Sequence, residues 1–277
     1  MIPLKNPTLK DPIGRVPGKI FILGEYSILD HYPALVATVQ LPTGTTLYGF
    51  GSSTARYVDN NAKLNHPRPT DELWHQYRLD HPDASGADLV AQDRSYRFKE
   101  RLTEVTIAQQ THESAFPSLK FQCVDARVNR DLFIHILVFS AAHLPDRKLR
   151  TYEDLSKLKT HHIKNSEATR FPDSTPYLMK FYSAKNAEDL VIFDDFADAI
   201  AIRGLESQSA QQDRSWIKKQ AGVIAVKGCG AGLNDVFLVV SERPPFTSQT
   251  DQLIDRIVQD RKLRYLGTLH DLVFQGV

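Results

Sequence analysis

The residues best suited to chemistry begin with Gly49-Phe50-Gly51-Ser52-Ser53-Thr54-Ala55. Two glycines let a backbone come close to a ligand. Two hydroxyls follow at once, each able to reach a phosphate or a metal ion. The run from Thr54 to Leu64 holds no Gly or Pro and reads as the start of a helix. A glycine turn feeding a helix N-terminus presents free N–H groups and the positive end of a dipole, which suits an anion. An ordinary serine N-cap after a glycine turn has the same residues, so the loop alone leaves both readings open.

A second glycine loop, Gly228-Cys229-Gly230-Ala231-Gly232, follows a predicted strand at Ala221–Lys227. It leads through Leu233-Asn234-Asp235 into another predicted strand, Val236–Val240. A dinucleotide fingerprint needs its glycines to open a helix, so this order excludes one. It fits a strand–turn–strand whose glycines admit a ligand or another backbone. Among other polar candidates, Lys19 opens the apolar strand Lys19–Leu23, and Gly24-Glu25-Tyr26 follows it. By position alone Lys19 is a surface lysine at a strand end. Glu72 stands with Asp71 in the first turn of a predicted helix over Thr70–Leu79, where acids complement the dipole. Ser85-Gly86-Ala87-Asp88 reads as a helix entry. His135 lies within a nearly continuous apolar strand and is expected to be a satisfied core histidine.

The elements that must position these residues are α and β mixed. Further strands are predicted at Ala34–Val39, Tyr96–Phe98, Val105–Ile107, Leu119–Cys123, Phe133–Phe139 and Tyr265–Leu269. Phe133–Phe139 is apolar enough to be a buried central strand. Helices are predicted at Thr151–Lys159, once or twice within Tyr177–Leu205, at Ser207–Lys219 and at Thr250–Gln259. Thr160–Pro176 is polar and reads as a connection.

A chain of 277 residues allows one large domain or two modest ones. Its 42% hydrophobic and 24% charged residues fit a soluble globular protein. A net charge of +1 gives no support for nucleic acid or a membrane surface as partner. Cys123 and Cys229 lack CxxC spacing, so no zinc pattern or disulfide framework follows. The first residues carry no apolar signal region and no apolar run could span a bilayer, so a cytoplasmic location is expected.

Four stretches stand in one order: Pro17-Gly18-Lys19 through Gly24-Glu25-Tyr26 with Tyr32-Pro33-Ala34, then Gly49-Phe50-Gly51-Ser52-Ser53, then Ser85-Gly86-Ala87-Asp88, then Lys227 through Gly230-Ala231-Gly232-Leu233-Asn234-Asp235. That order resembles the GHMP kinases, the superfamily of galactokinase and of homoserine, mevalonate and phosphomevalonate kinases. Gly24-Glu25-Tyr26 and Asp235 look most like the phosphomevalonate kinase branch. The resemblance departs in spacing. About fifteen residues separate Pro33 from Gly49, where the family has a long segment that includes much of its adenine pocket.

The resemblance implies an α+β fold with two lobes. Residues 1–130 would form a trimmed N-terminal lobe of the ribosomal protein S5 domain 2-like type, and 131–277 a ferredoxin-like C-terminal lobe. It implies ATP and Mg²⁺ as cofactors, a small-molecule phosphate acceptor as partner, and a monomer or homodimer. Gly49, Gly51, Ser52, Ser53 and Thr54 would hold the donor phosphates. Ser52 or Ser53, with Glu72, would hold the metal. Lys19 and Asp88 would be the catalytic pair. Glu25, Tyr26, Ser85, Gly86, Gly230, Ala231 and Gly232 would line the acceptor site. The expected activity is transfer to phosphomevalonate or mevalonate. A kinase for another alcohol or sugar, and a non-catalytic protein that has lost the nucleotide pocket, are the alternatives.

Overall fold

The computed structural model describes residues 18–27, 32–39, 102–107, 119–123, 134–144, 171–229, 236–242 and 247–272. The helices predicted at 54–64, 70–79 and 151–159, and the strand predicted at 96–98, lie outside them.

Among the described residues two antiparallel sheets of four strands each make the frame. In the first, β1 (Gly18–Leu23) pairs with β2 (Ala34–Val39), β2 with β3 (Leu102–Ile107), and β3 with β4 (Leu119–Cys123). Among the described residues β1 is therefore an edge strand. Its register against β2 slips between Phe21 and Leu23, a bulge that bends the exit of the strand.

The second sheet has the order β6-β7-β5-β8, from β5 (Ile134–Ser140), β6 (Val223–Cys229), β7 (Val236–Glu242) and β8 (Arg264–Thr268). Between β5 and β6 the chain forms α1 (Thr175–Ser183), a 3-10 turn (Glu188–Val191), α2 (Ile192–Ile202) and α3 (Gln208–Lys218). α4 (Thr247–Arg261) joins β7 to β8, and α5 (Leu269–Leu272) follows. Strand, helices, two strands, helix and strand in this order make the split βαβ of ferredoxin-like sheets. β5 lies between β7 and β8, and Leu137, Val138 and Phe139 are fully buried, as the apolar run predicts.

Because strand side chains alternate, the second sheet buries both faces. Leu137 and Phe139 of β5, Val226 of β6 and Phe237 and Val239 of β7 pack with Ala210 and Ile217 of α3 and Leu253 and Ile257 of α4. The other face places Ile136, Val138, Ala225, Cys229, Leu238 and Val240 in a core shared with α1, α2 and the first sheet, including Ile20, Ile22, Leu35 and Ala37. α2 reaches this core along one stripe, Ile192, Phe193, Phe196, Ala197 and Ile200. α3 is held at its start by Ser207, whose Oγ accepts from the Ala210 N–H at 3.3 Å.

β6 too is an edge strand among the described residues, and the helices bond to its open side. The Val226 N–H donates to Asp194 Oδ1 of α2 at 2.7 Å. Lys218 of α3 donates to the Ile224 carbonyl and pairs with Asp194.

Some elements differ from the sequence expectation: Gly228 and Cys229, expected in a glycine loop, close β6. The connection predicted to run through Pro176 ends earlier, because Pro176 sits in the first turn of α1, where no N–H is needed. Leu269, predicted as the end of the last strand, instead opens α5. Among the described residues no helix is long and apolar enough to cross a membrane, and no cluster of three metal-ligating side chains occurs.

Candidate active site

The strand β1 delivers its polar residues through a tight exit. Gly24 has φ +89°, and a Cβ there would stand 2.6 Å from the Pro33 carbonyl oxygen and 2.7 Å from Ala34 Cα. Only glycine allows the turn to lie this close to the start of β2. Tyr26 also has a positive φ, 41°, which the packing around it must hold in place. Its ring stacks on Phe171 at 5.8 Å, and its hydroxyl donates to the Leu205 carbonyl at 3.4 Å. Ser174 donates to the Pro33 carbonyl from the same side. Residues more than a hundred positions away in the chain thus grip the exit turn of β1.

The strongest grip comes from β6. Lys227 is fully buried, and its Nζ lies 2.5 Å from Glu25 Oε1. The same ammonium donates to the Gly228 carbonyl at 3.0 Å and to the Phe21 carbonyl at 3.3 Å. Cys229, one step further along the same face, donates from Sγ to the Phe21 carbonyl at 3.1 Å. Burial pushes the Glu25 carboxyl up, more than the Lys227 charge and hydrogen bond pull it down. For Lys227 burial acts downward, but Cys229 and Glu25 together hold the ammonium above the usual lysine range. Glu25 Oε2 has no hydrogen-bond partner among the described residues.

Of the catalytic, cofactor, metal and acceptor residues that the resemblance implies, the structure describes Lys19, Glu25 and Tyr26. Lys19 lies in β1, opposite Thr38 in register. Glu25 and Tyr26 form the exit turn, and both side chains are buried, engaged with Lys227 and with Phe171 respectively. Gly49, Gly51, Ser52, Ser53, Thr54, Glu72, Ser85, Gly86, Asp88, Gly230, Ala231 and Gly232 lie outside the described residues. His135 is half-buried in β5, opposite Ser241. Sequence reasoning missed Lys227 as a partner of Glu25. The available signal was a cation inside an otherwise apolar strand, Val223-Ile224-Ala225-Val226-Lys227-Gly228-Cys229.

A surface depression of about 340 Å³ lies elsewhere, between α1 and the 3-10 turn. One of its acids, Asp189, already accepts from the Lys185 and Asn186 N–H groups and supports the local turn. The arrangement with chemical content is the junction of β1 and β6. There a buried charged pair joins two strand exits, each followed in sequence by a segment expected to meet a ligand.

No protein-family model matches the chain, and comparison with curated protein sequences finds no match. Solved structures do match. The Methanococcus jannaschii mevalonate kinase superposes with a TM-score of 0.63 at 11% identity, over 91% of this chain and 96% of that one. The Lactococcus lactis galactokinase complexed with galactose gives 0.61 at 10% identity, over 94% and 93%. The Streptococcus pneumoniae phosphomevalonate kinase gives 0.59 at 13% identity, over 91% and 97%. At such identities the likeness is one of fold: the chain shares the mixed helix-and-sheet fold of these three kinases.

Proposed function

We propose that this chain is a small-molecule kinase of the GHMP type, transferring phosphate from ATP to phosphomevalonate or mevalonate. The observation that carries the proposal is the fold shared with mevalonate and phosphomevalonate kinases over more than nine-tenths of each chain. The motif order supports it. In this reading residues 1–130 and 131–277 are the two lobes of a cytoplasmic monomer or homodimer.

Phosphoryl transfer needs alignment of donor and acceptor and neutralisation of charge. The backbone N–H groups of Gly49 to Thr54 would hold the donor phosphates. Ser52 or Ser53 with Glu72 is an all-oxygen donor set, which suits Mg²⁺. Bound there, the ion would neutralise charge on the donor phosphates. Lys19 would face the transferring group, and Asp88 would take the proton of an acceptor hydroxyl or orient Lys19 beside an acceptor phosphate. Glu25, Tyr26, Ser85, Gly86 and Gly230 to Gly232 would shape the acceptor side. A second reading, a sugar or another alcohol as acceptor, is favoured by the equally good likeness to the galactokinase complexed with galactose.

Comparing Lys19→Met with Asp88→Asn on each acceptor tests the proposal. A hydroxyl gains about a hundredfold or more from a base, whereas an anionic acceptor phosphate gains from a positive charge. With phosphomevalonate, Lys19→Met is the more damaging change. With mevalonate or a sugar, Asp88→Asn is at least as damaging. Full activity in both variants would remove the catalytic assignment, and no transfer to any acceptor by the unaltered protein would remove the kinase reading.

A further inference from the structure

The contacts of Lys227 exceed what a counter-ion to Glu25 requires. An ammonium has three N–H donors. Here three oxygens are within reach: Glu25 Oε1 at 2.5 Å, Gly228 O at 3.0 Å and Phe21 O at 3.3 Å. Two of the three belong to β1 or its exit turn and one to β6. The Phe21 carbonyl also accepts from Cys229 Sγ at 3.1 Å. Among the described residues β1 and β6 are each the edge of their own sheet. Two side chains of β6 therefore reach the β1 backbone at its bulge, between the register positions Phe21 and Leu23.

This link is a costly way to make a junction hold. Lys227 is fully buried, and its Nζ lies 6.0 Å from the centre of the Phe196 ring in a core otherwise made of aliphatic and aromatic groups. Replacing a buried ion pair by apolar groups of the same volume often leaves stability unchanged or improves it. What an apolar pair would lose is direction. Two hydrogen bonds, to Glu25 and to the Phe21 carbonyl, fix the ammonium relative to β1 in a way that dispersion contacts do not. Lys227 lies two residues before the end of β6 at Cys229 and three before Gly230 in the sequence. On the other side it holds the turn that carries Tyr26.

We propose that Lys227, through Glu25 and the Phe21 carbonyl, is a positioning residue for phosphoryl transfer. It sets the exit of β6, and with it the origin of the Gly230-Ala231-Gly232 segment, against the exit turn of β1. The inference rests on the kinase reading given above. Neither residue needs to touch the acceptor in this role. In the kinase reading the segments that follow these two strand exits would flank the acceptor, and a displacement of about 1 Å there would cost on the order of a hundredfold in rate.

The test is the double variant Lys227→Met/Glu25→Gln, which keeps both volumes and leaves no unpaired buried charge. Melting, MgATP binding by calorimetry, and kcat and KM for the acceptor are measured on it and on the unaltered protein. Positioning predicts a folded protein with MgATP affinity within about twofold and kcat/KM for the acceptor reduced about tenfold or more. A folded double variant with unchanged acceptor constants overturns the inference and leaves the kinase reading intact. Should the double variant not fold, Glu25→Asp keeps the charge but withdraws the carboxylate by one methylene. A rise in acceptor KM with unchanged MgATP affinity then supports positioning, and unchanged constants overturn it. If the unaltered protein transfers no phosphate, the kinase reading falls and this inference falls with it.

Discussion

The two faces of the β5–β8 sheet are built from the same strands yet do different work. Toward α3 and α4 the buried residues are Leu137, Phe139, Val226, Phe237 and Val239, all apolar. Toward β1 the same β6 presents Ala225, Lys227 and Cys229, and the core there encloses Glu25. A face that only has to exclude water is made of groups that lose nothing on burial. A face that carries a charged pair gives up some of that gain for directional bonds. The difference separates the part of the molecule that makes it fold from the part with something to position.

The largest effects should come from one substitution on each face. Lys227→Met strands the Glu25 carboxyl in the core, at a cost of about 3–5 kcal/mol. Phe139 is fully buried and packs on Tyr265 at 5.3 Å, so Phe139→Ala should cost a similar amount, about 3–5 kcal/mol. Urea unfolding checks both. The faces then part company. Adding Glu25→Gln should restore most of the stability lost in Lys227→Met, and kinetic constants of folded Phe139→Ala should match the unaltered protein. If Glu25→Gln restores nothing, Glu25 is not the group left stranded.

A smaller effect is expected where the two faces meet, at the open side of β6. Asp194→Ala removes the acceptor of the Val226 N–H and the partner of Lys218, at a cost of about 1–3 kcal/mol. Thermal unfolding checks it, and a change within error would mean that water replaces Asp194 there.

The smallest effect is a tilt of stability with pH. Burial holds the Glu25 carboxyl above its ordinary value of 4.5 in the folded protein. Between 4.5 and that raised value the folded state keeps a proton that the unfolded state has released. This contribution is fully present below 4.5 and is lost as pH rises through the folded value. Melting temperatures of the unaltered protein should therefore decline with pH above 4.5 more steeply than those of Glu25→Gln. Parallel curves would contradict the burial effect.

The contrast between the faces also explains what could be read from sequence. β2 and β4 fall where predicted, at Ala34–Val39 and Leu119–Cys123, because short β-branched or apolar runs are self-evident strands. β5 is legible as a central strand for the same reason. α4 extends beyond its predicted Thr250–Gln259 to Thr247–Arg261, since polar end turns carry no hydrophobic period. α5 has only four residues, too few for any period. Gly24 announces a turn, but the positive φ of Tyr26 does not show in its residue type. The pairing of Lys227 with Glu25 spans 202 positions and is created only by packing β1 beside β6. The glycine–serine loop and Asp88 lie outside the described residues, and the role expected of them rests on local residue type rather than on distant contacts.

Titration of MgATP into the unaltered protein, followed by calorimetry, tests the central claim most directly. Any kinase must bind its donor, and measuring that binding requires no knowledge of the acceptor. The account predicts saturable one-to-one binding that weakens about tenfold or more, roughly 1.4 kcal/mol, in Ser52→Ala/Ser53→Ala. Because the spacing between Pro33 and Gly49 is short, GTP should bind within about tenfold of ATP. Absence of binding by any nucleotide would contradict the account and leave a kinase fold without kinase function.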